Sequence, residues 1–141
     1  MTGSLVKLSF DTRFHIDFEW WRANDREWRV YLLNYLSEED QTQFAAMLNS
    51  DELVDWVDPE TAEVKQVDGL QHLVITTAAQ AEDFLGQGTT LVESIFRTFL
   101  KNGNTPLSIS EIAVELDRPP VTILKMLSGG RIYRGLRPLQ A

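Results

Sequence analysis

A run of local start and stop signals between Thr89 and Gly135 constrains this chain more than any other feature. Leu91, Val92, Ile95, Phe96, Phe99 and Leu100 fall at the spacing that gives a helix one apolar face. Asn102-Gly103-Asn104 then ends it, because Gly and Asn tolerate the left-handed backbone that closes helices. Ser108-Ile109-Ser110-Glu111 has the form of a capping box, in which a hydroxyl and a carboxylate exchange bonds with free backbone amides. Ile109, Ile112, Ala113 and Leu116 form the buried face of the short helix it opens. Asp117-Arg118 makes a tight turn, and Pro119-Pro120 starts a third helix, where the missing proline amide costs nothing. Ile123, Met126 and Leu127 are expected to bury, Gly129-Gly130 to end this helix, and Arg131 to Arg134 to form one short strand before Gly135. Three helices and a strand are the expectation.

Charge is divided unevenly along the chain. From Arg118 onward there are five basic residues (Arg118, Lys125, Arg131, Arg134, Arg137) and no acid. From Thr89 onward the balance is seven Lys/Arg against four Asp/Glu, or +3; residues 1–88 hold six against seventeen, or −11, and the two give the net −8. Affinity for a polyanion follows local charge, so the end of the chain is the expected contact and the acidic part must face away. Absence of Cys excludes disulfides, thiolate metal sites and cysteine nucleophiles. No apolar run approaches the roughly 20 residues of a membrane span, and MTGSLVKLSF lacks the apolar core of a secretion signal. A cytoplasmic protein without membrane contact is the default expectation.

The acidic part reads as mixed strand and helix. Phe14, Ile16, Phe18 and Trp20 alternate with His15, Asp17 and Glu19, the pattern of a half-buried strand, and Val6, Leu8 and Phe10 alternate more weakly before it. A hairpin from Leu5 to Trp21, turning at Asp11-Thr12-Arg13, follows. Asn24 and Glu27 then suggest the start of a helix carrying Trp28, Tyr31, Leu32, Tyr35 and Leu36. Ser37 followed by Glu38, Glu39 and Asp40 suggests a second, with Phe44, Ala45, Met47 and Leu48 inside. Val54, Trp56, Val64 and Val67 flank a polar, Pro-containing loop and read as another hairpin. Leu70 to Thr77 is rich in β-branched residues and reads as a further strand. Gly86-Gln87-Gly88 reads as a joint, better as a hinge than a phosphate loop, since it lacks the length and the lysine.

The order helix, connector, capped helix, tight turn, helix, basic strand in SISEIAVELDRPPVTILKMLSGGRIYR resembles the winged helix-turn-helix superfamily of transcription regulators. The resemblance covers about the last third of the chain. It implies a third helix lying in the major groove of DNA and a wing that touches phosphate or the minor groove. The recognition surface would then be Pro119, Pro120, Val121, Thr122, Leu124 and Lys125 beside Arg118, with Arg131, Arg134 and Arg137 on the wing. Pro, Val and Leu lack the donors and acceptors that match base edges, and few residues remain for a wing after Arg134. If all five cations met phosphates, log K would fall with log salt at a slope of about −4 to −5. A protein-interaction or assembly module with a degenerate winged helix is the alternative, motivated by Val121, Leu124 and the prolines, with Leu124 as a partner-binding residue.

Other candidates carry less. His15, Asp17 and Glu19 on one strand face would in principle hold a divalent metal, against the plainer reading of a polar solvent face. Asp55, Asp58, Glu60 and Glu63 lack calcium-loop spacing and read as a hairpin tip. His72, among apolar residues, reads as a satisfied core or edge histidine. Of the aromatic set Trp20, Trp21, Trp28, Tyr31, Tyr35 and Trp56, most should be core. Adjacent Trp20 and Trp21 cannot both face inward on a strand, which makes Trp21 a candidate partner-binding anchor. No catalytic constellation, metal site or cofactor motif emerges, so no enzyme activity is expected.

The sequence therefore implies an α+β chain. Residues 1–86 would form an acidic domain of β-hairpins with two helices, and residues 87–141 a winged-helix-like three-helix module with a short wing. The expected function is a small intracellular regulator whose C-terminal module binds nucleic acid, DNA in the first instance. Its acidic domain would form a homodimer or bind a protein partner.

Overall fold

A computed structural model describes residues 8–43, 53–58, 61–85, 89–129 and 131–139, apart from the side chains of Val54 and Trp56. The chain is mixed helix and strand, with small antiparallel sheets, in keeping with the expected α+β class. It divides into two compact units, one of Met1–Asn24 with Leu85–Ala141 and one of Asp25–Phe84. The expected division at residue 86 differs from this, because the first 24 residues belong with the C-terminal part.

The reason lies in β1 (Arg13–Ile16). The expected hairpin is not what this strand enters. It is the middle strand of a three-stranded antiparallel sheet, between β4 (Leu107–Ser108) and β5 (Leu136–Pro138). Phe14 stands opposite Leu107 on one side and Pro138 on the other; His15 faces Arg137 and Ile16 faces Leu136. Asn104 extends the shorter edge, its side chain accepting from the Ile16 amide at 2.8 Å and donating to the Ile16 carbonyl at 2.9 Å. An amide side chain thereby does the work of a strand residue in satisfying buried backbone.

The strand stops at Ile16 because Asp17 caps a helix, α1 (Phe18–Asn24). Its Oδ1 accepts from the Trp20 amide at 3.0 Å, and an acid at the positive end of a helix is favourable. The alternation of Phe18 and Trp20 thus gives way to helical spacing, which buries Phe18 and Trp21. In the same unit α5 (Leu91–Lys101) starts at Thr90, whose hydroxyl accepts from the Glu93 amide at 3.3 Å. The capping box is present in full at α6 (Ile109–Leu116): Ser108 Oγ accepts from the Glu111 amide at 3.1 Å, and Glu111 Oε1 from the Ser108 amide at 2.8 Å. Asp117 ends α6 in the left-handed region (φ 52°), and α7 (Pro120–Leu127) follows with proline at its start. Trp21, Phe14, Ile16, Phe96, Phe99 and Ile112 are fully buried and form the centre of this core.

The terminal strand lies further on than expected. Residues 131–134 form no strand; Arg134 (φ 44°) and Gly135 (φ 81°) turn the chain, and β5 begins at Leu136. Glycine is required there: a Cβ would stand 2.8 Å from the Asp17 carbonyl oxygen. The Asp17 amide donates to the Gly135 carbonyl at 2.7 Å, so the close approach is itself a backbone bond.

The unit of Asp25–Phe84 contains α2 (Trp28–Leu33), α3 (Glu38–Gln43), the hairpin β2 (Leu53–Val57) and β3 (Val64–Asp68), and α4 (Gly69–Thr76). The hairpin and the Ser37 cap are as expected, Ser37 Oγ accepting from the Asp40 amide at 3.1 Å. Asn24 is the last residue of α1, its side chain donating back to the Trp20 carbonyl at 2.8 Å, and does not start α2; Glu27 precedes α2 without a side-chain cap. Leu70 to Thr77, expected as a strand, is helical. Asp68 overrides the β-branched content by accepting from the amides of Leu70 (2.9 Å) and Gln71 (3.3 Å), which lets Leu70, Leu73 and Val74 bury on one helical face. Phe44, Ala45, Met47, Leu48 and the Gly86–Gly88 joint lie outside the described residues.

Candidate partner-binding face

The five cations of the expected nucleic-acid surface separate into two sets. Arg118, Lys125 and Arg131 are exposed and make no ion pair among the described residues. Arg134 and Arg137 are committed within the unit. Arg134 donates to Glu93 Oε2 at 3.1 Å and lies over the Tyr133 ring at 4.7 Å. Arg137 donates to Asp17 Oδ2 at 2.9 Å, with its guanidinium 5.5 Å from the Trp20 ring centroid. Both therefore fasten the terminal segment to the body of the unit.

Glu93 is the residue that sequence reading missed. It accepts from Arg97 Nε at 3.2 Å, from the Tyr133 hydroxyl at 2.8 Å and from Arg134 at 3.1 Å. It stood in plain view as an acid in the first turn of α5, but only the fold shows that the chain's end returns to it. Phe96 completes the lock, in edge contact with Trp21 and Tyr133.

Trp21 is 1% exposed and packs against Phe18 and Phe96. It offers no surface to a partner, and the reason is the helix: only on a strand would two adjacent tryptophans point to opposite faces. Trp20 is the half-exposed member of the pair.

Apart from Lys125, what α7 exposes is apolar. Val121 is 47% exposed and Met126, expected to bury, is 41% exposed, while Ile123 alone of this helix is fully covered. Pro119 and Pro120 are exposed, and Thr122 and Leu124 are half-buried. Val114 on α6 is among the most exposed apolar side chains of the chain. Exposed branched or thioether side chains make dispersion contacts to another apolar surface and carry no donor for a base edge. Arg118 precedes the helix and exposed Lys125 lies in its last turn.

His15, Asp17 and Glu19 do not share one strand face. β1 ends before Asp17, Asp17 is paired with Arg137, and Glu19 is on α1, so the shared strand face is missing. Among the described residues no group of three or more His, Cys, Asp or Glu side chains is arranged to hold a metal. His15 is half-buried; burial lowers its pKa from 6.5, with the nearby Asp17 opposing and Arg137 reinforcing that direction. His72 is expected to be satisfied, yet its buried Nδ1 has no hydrogen-bond partner among the described residues. Asp58 pairs with Lys65 at 3.6 Å, Asp55 and Glu63 are exposed, and Glu60 lies outside the described residues. No helix among the described residues is long and apolar enough to cross a membrane.

Comparison with known proteins gave no matching family model, no matching curated protein and no matching solved structure.

Proposed function

We propose that the chain is a protein-interaction or assembly module whose winged-helix-like unit docks a partner through the outer face of α7. The succession α5, β4, α6, tight turn, α7, β5 supports the winged-helix likeness, with β1 taking the middle of the sheet from the other end of the chain. One observation carries the choice of partner class. The arginines that a DNA-bound wing needs are spent on Glu93 and Asp17, while the helix that would read bases exposes Val121 and Met126. Freeing Arg134 or Arg137 for phosphate would give up a charge-assisted hydrogen bond already formed within the unit, which opposes the exchange.

The test is a pull-down with the full chain as bait. Val121→Asp and Met126→Asp, both at exposed positions, should leave the fold intact and abolish capture of the partner. Arg131→Glu, which leaves the apolar side chains in place, should weaken capture much less than either. Loss of capture with Arg131→Glu and retention with Val121→Asp would overturn the reading.

Nucleic-acid binding remains the second reading because Arg118, Lys125 and Arg131 are exposed and unpaired among the described residues. Three phosphate contacts in place of five give a slope of log K on log salt of about −3. An anisotropy titration against duplex DNA at low salt measures it, and the absence of salt-sensitive binding removes this reading.

A further inference from the structure

We infer that the α7 face is occupied by the β2–β3 hairpin of a second copy of this chain. This rests on the reading of α7 as a protein-binding face and names its partner. Val57 and Val64 stand directly opposite each other in the hairpin register, and they are 57% and 64% exposed. A cross-strand apolar pair of this kind is left open to solvent, next to exposed Asp55 and Glu63. The nearby Lys65 is matched by Asp58 at 3.6 Å, so the hairpin presents acid around an apolar centre. The α7 face is its complement. Val121 and Met126 are exposed, and from Arg118 through Arg131 the chain carries three cations and no acid. Glu115 and Asp117, exposed at the end of α6, bound this cationic surface and confine the contact to α7 and the residues after it.

The two surfaces differ, which decides the symmetry. Hairpin against hairpin would oppose acid to acid, and α7 against α7 would oppose cation to cation. Only hairpin against α7 matches both apolar and charged groups. A single contact leaves one free hairpin and one free α7 face, so the association closes as a reciprocal dimer or a larger ring, or grows into an open chain.

Sedimentation velocity of the full chain tests this. The wild-type mass should rise with concentration and fall back as salt screens the charges. Val121→Glu destroys the face and Val64→Lys destroys the hairpin; each variant alone should be monomeric, with association weakened by about tenfold or more. An equimolar mixture of the two should form dimers and nothing larger, because one intact face meets one intact hairpin. A wild-type monomer at every concentration that stays in solution would overturn the inference. So would self-association that survives in either variant, or a mixture that stays monomeric. Capture of another protein that depends on Val121, without self-association, would overturn the inference and leave the docking reading standing. Salt-sensitive DNA binding that depends on Lys125, with neither capture nor self-association, would remove both.

Discussion

The two units differ in how their chains come together and in the charge they carry. In the unit of Met1–Asn24 and Leu85–Ala141, the middle strand pairs with residues near the other end of the chain. In the unit of Asp25–Phe84, a hairpin runs straight into a helix that its own last residue caps. The first unit holds ten Lys/Arg and seven Asp/Glu (+3), the second three and fourteen (−11), summing to −8. A linear cut at residue 88 gives the same two balances only because residues 1–24 carry three cations and three acids, and 85–88 carry none. Charge segregation is therefore a property of the folded units, and a compositional break in sequence locates it without locating the boundary. Non-local pairing also makes the first unit the one whose folding must await a costly loop closure.

The largest effect should come from removing the group that ties β1 and α1 to the rest of their unit. Trp21→Ala leaves a cavity against Phe96 and Phe18 and is expected to cost about 3–5 kcal/mol. Hydrogen exchange should show protection lost across α5 and α6 while Val64–Thr76 keeps theirs. Equal loss in both regions would break the division into independent units. Gly135→Ala comes next. The positive φ alone costs on the order of 1–3 kcal/mol, and the new Cβ meets the Asp17 carbonyl oxygen. The terminal segment should loosen, measured as earlier proteolysis after Arg134 and Arg137. An unchanged cleavage rate would mean that the backbone contact does not hold the segment.

The matching perturbation of the acidic unit is Asp68→Asn. Asp68 is 3% exposed and accepts from Arg29 at 2.7 Å as well as from the two amides that start α4. Losing the charge from this cap should cost about 2 kcal/mol, read as reduced exchange protection in Gly69–Thr76 with α5 unaffected. Protection lost in α5 as well would show that the first unit leans on the second.

Much of the C-terminal helix order was legible because each boundary is written in adjacent residues: Asn102 to Asn104, Ser108 with Glu111, Asp117, Pro120. Where the deciding partner is distant, the pattern misled. His15 to Trp20 alternates as a strand does, but Asp17 caps a helix and the strand's neighbours are around a hundred residues away. Leu70–Thr77 favours strand by composition, yet a single aspartate and a core to face make it a helix. The site was half legible for the same reason. Exposed Arg118, Lys125 and Val121 could be placed from the helix start, whereas the loss of Arg134 and Arg137 to internal carboxylates depends on Glu93 and Asp17 returning to the chain's end.

The smallest effect sharpens the comparison through pH. His15 lies half-buried on the middle strand of the first unit, opposite Arg137, and burial lowers its pKa from 6.5 despite Asp17. In the unfolded chain this imidazole takes its proton near 6.5; in the folded unit it does so only at lower pH. Between those two values the unfolded state binds more protons, so the stability of this unit is complete above 6.5 and declines as pH falls through the folded value. His15→Gln should flatten that decline. Urea midpoints followed by exchange in α5, between about pH 7.5 and 5.5, measure the difference. The same decline in wild type and His15→Gln would assign it to another group, and the sheet around β1 would then not be the acid-sensitive part of the molecule.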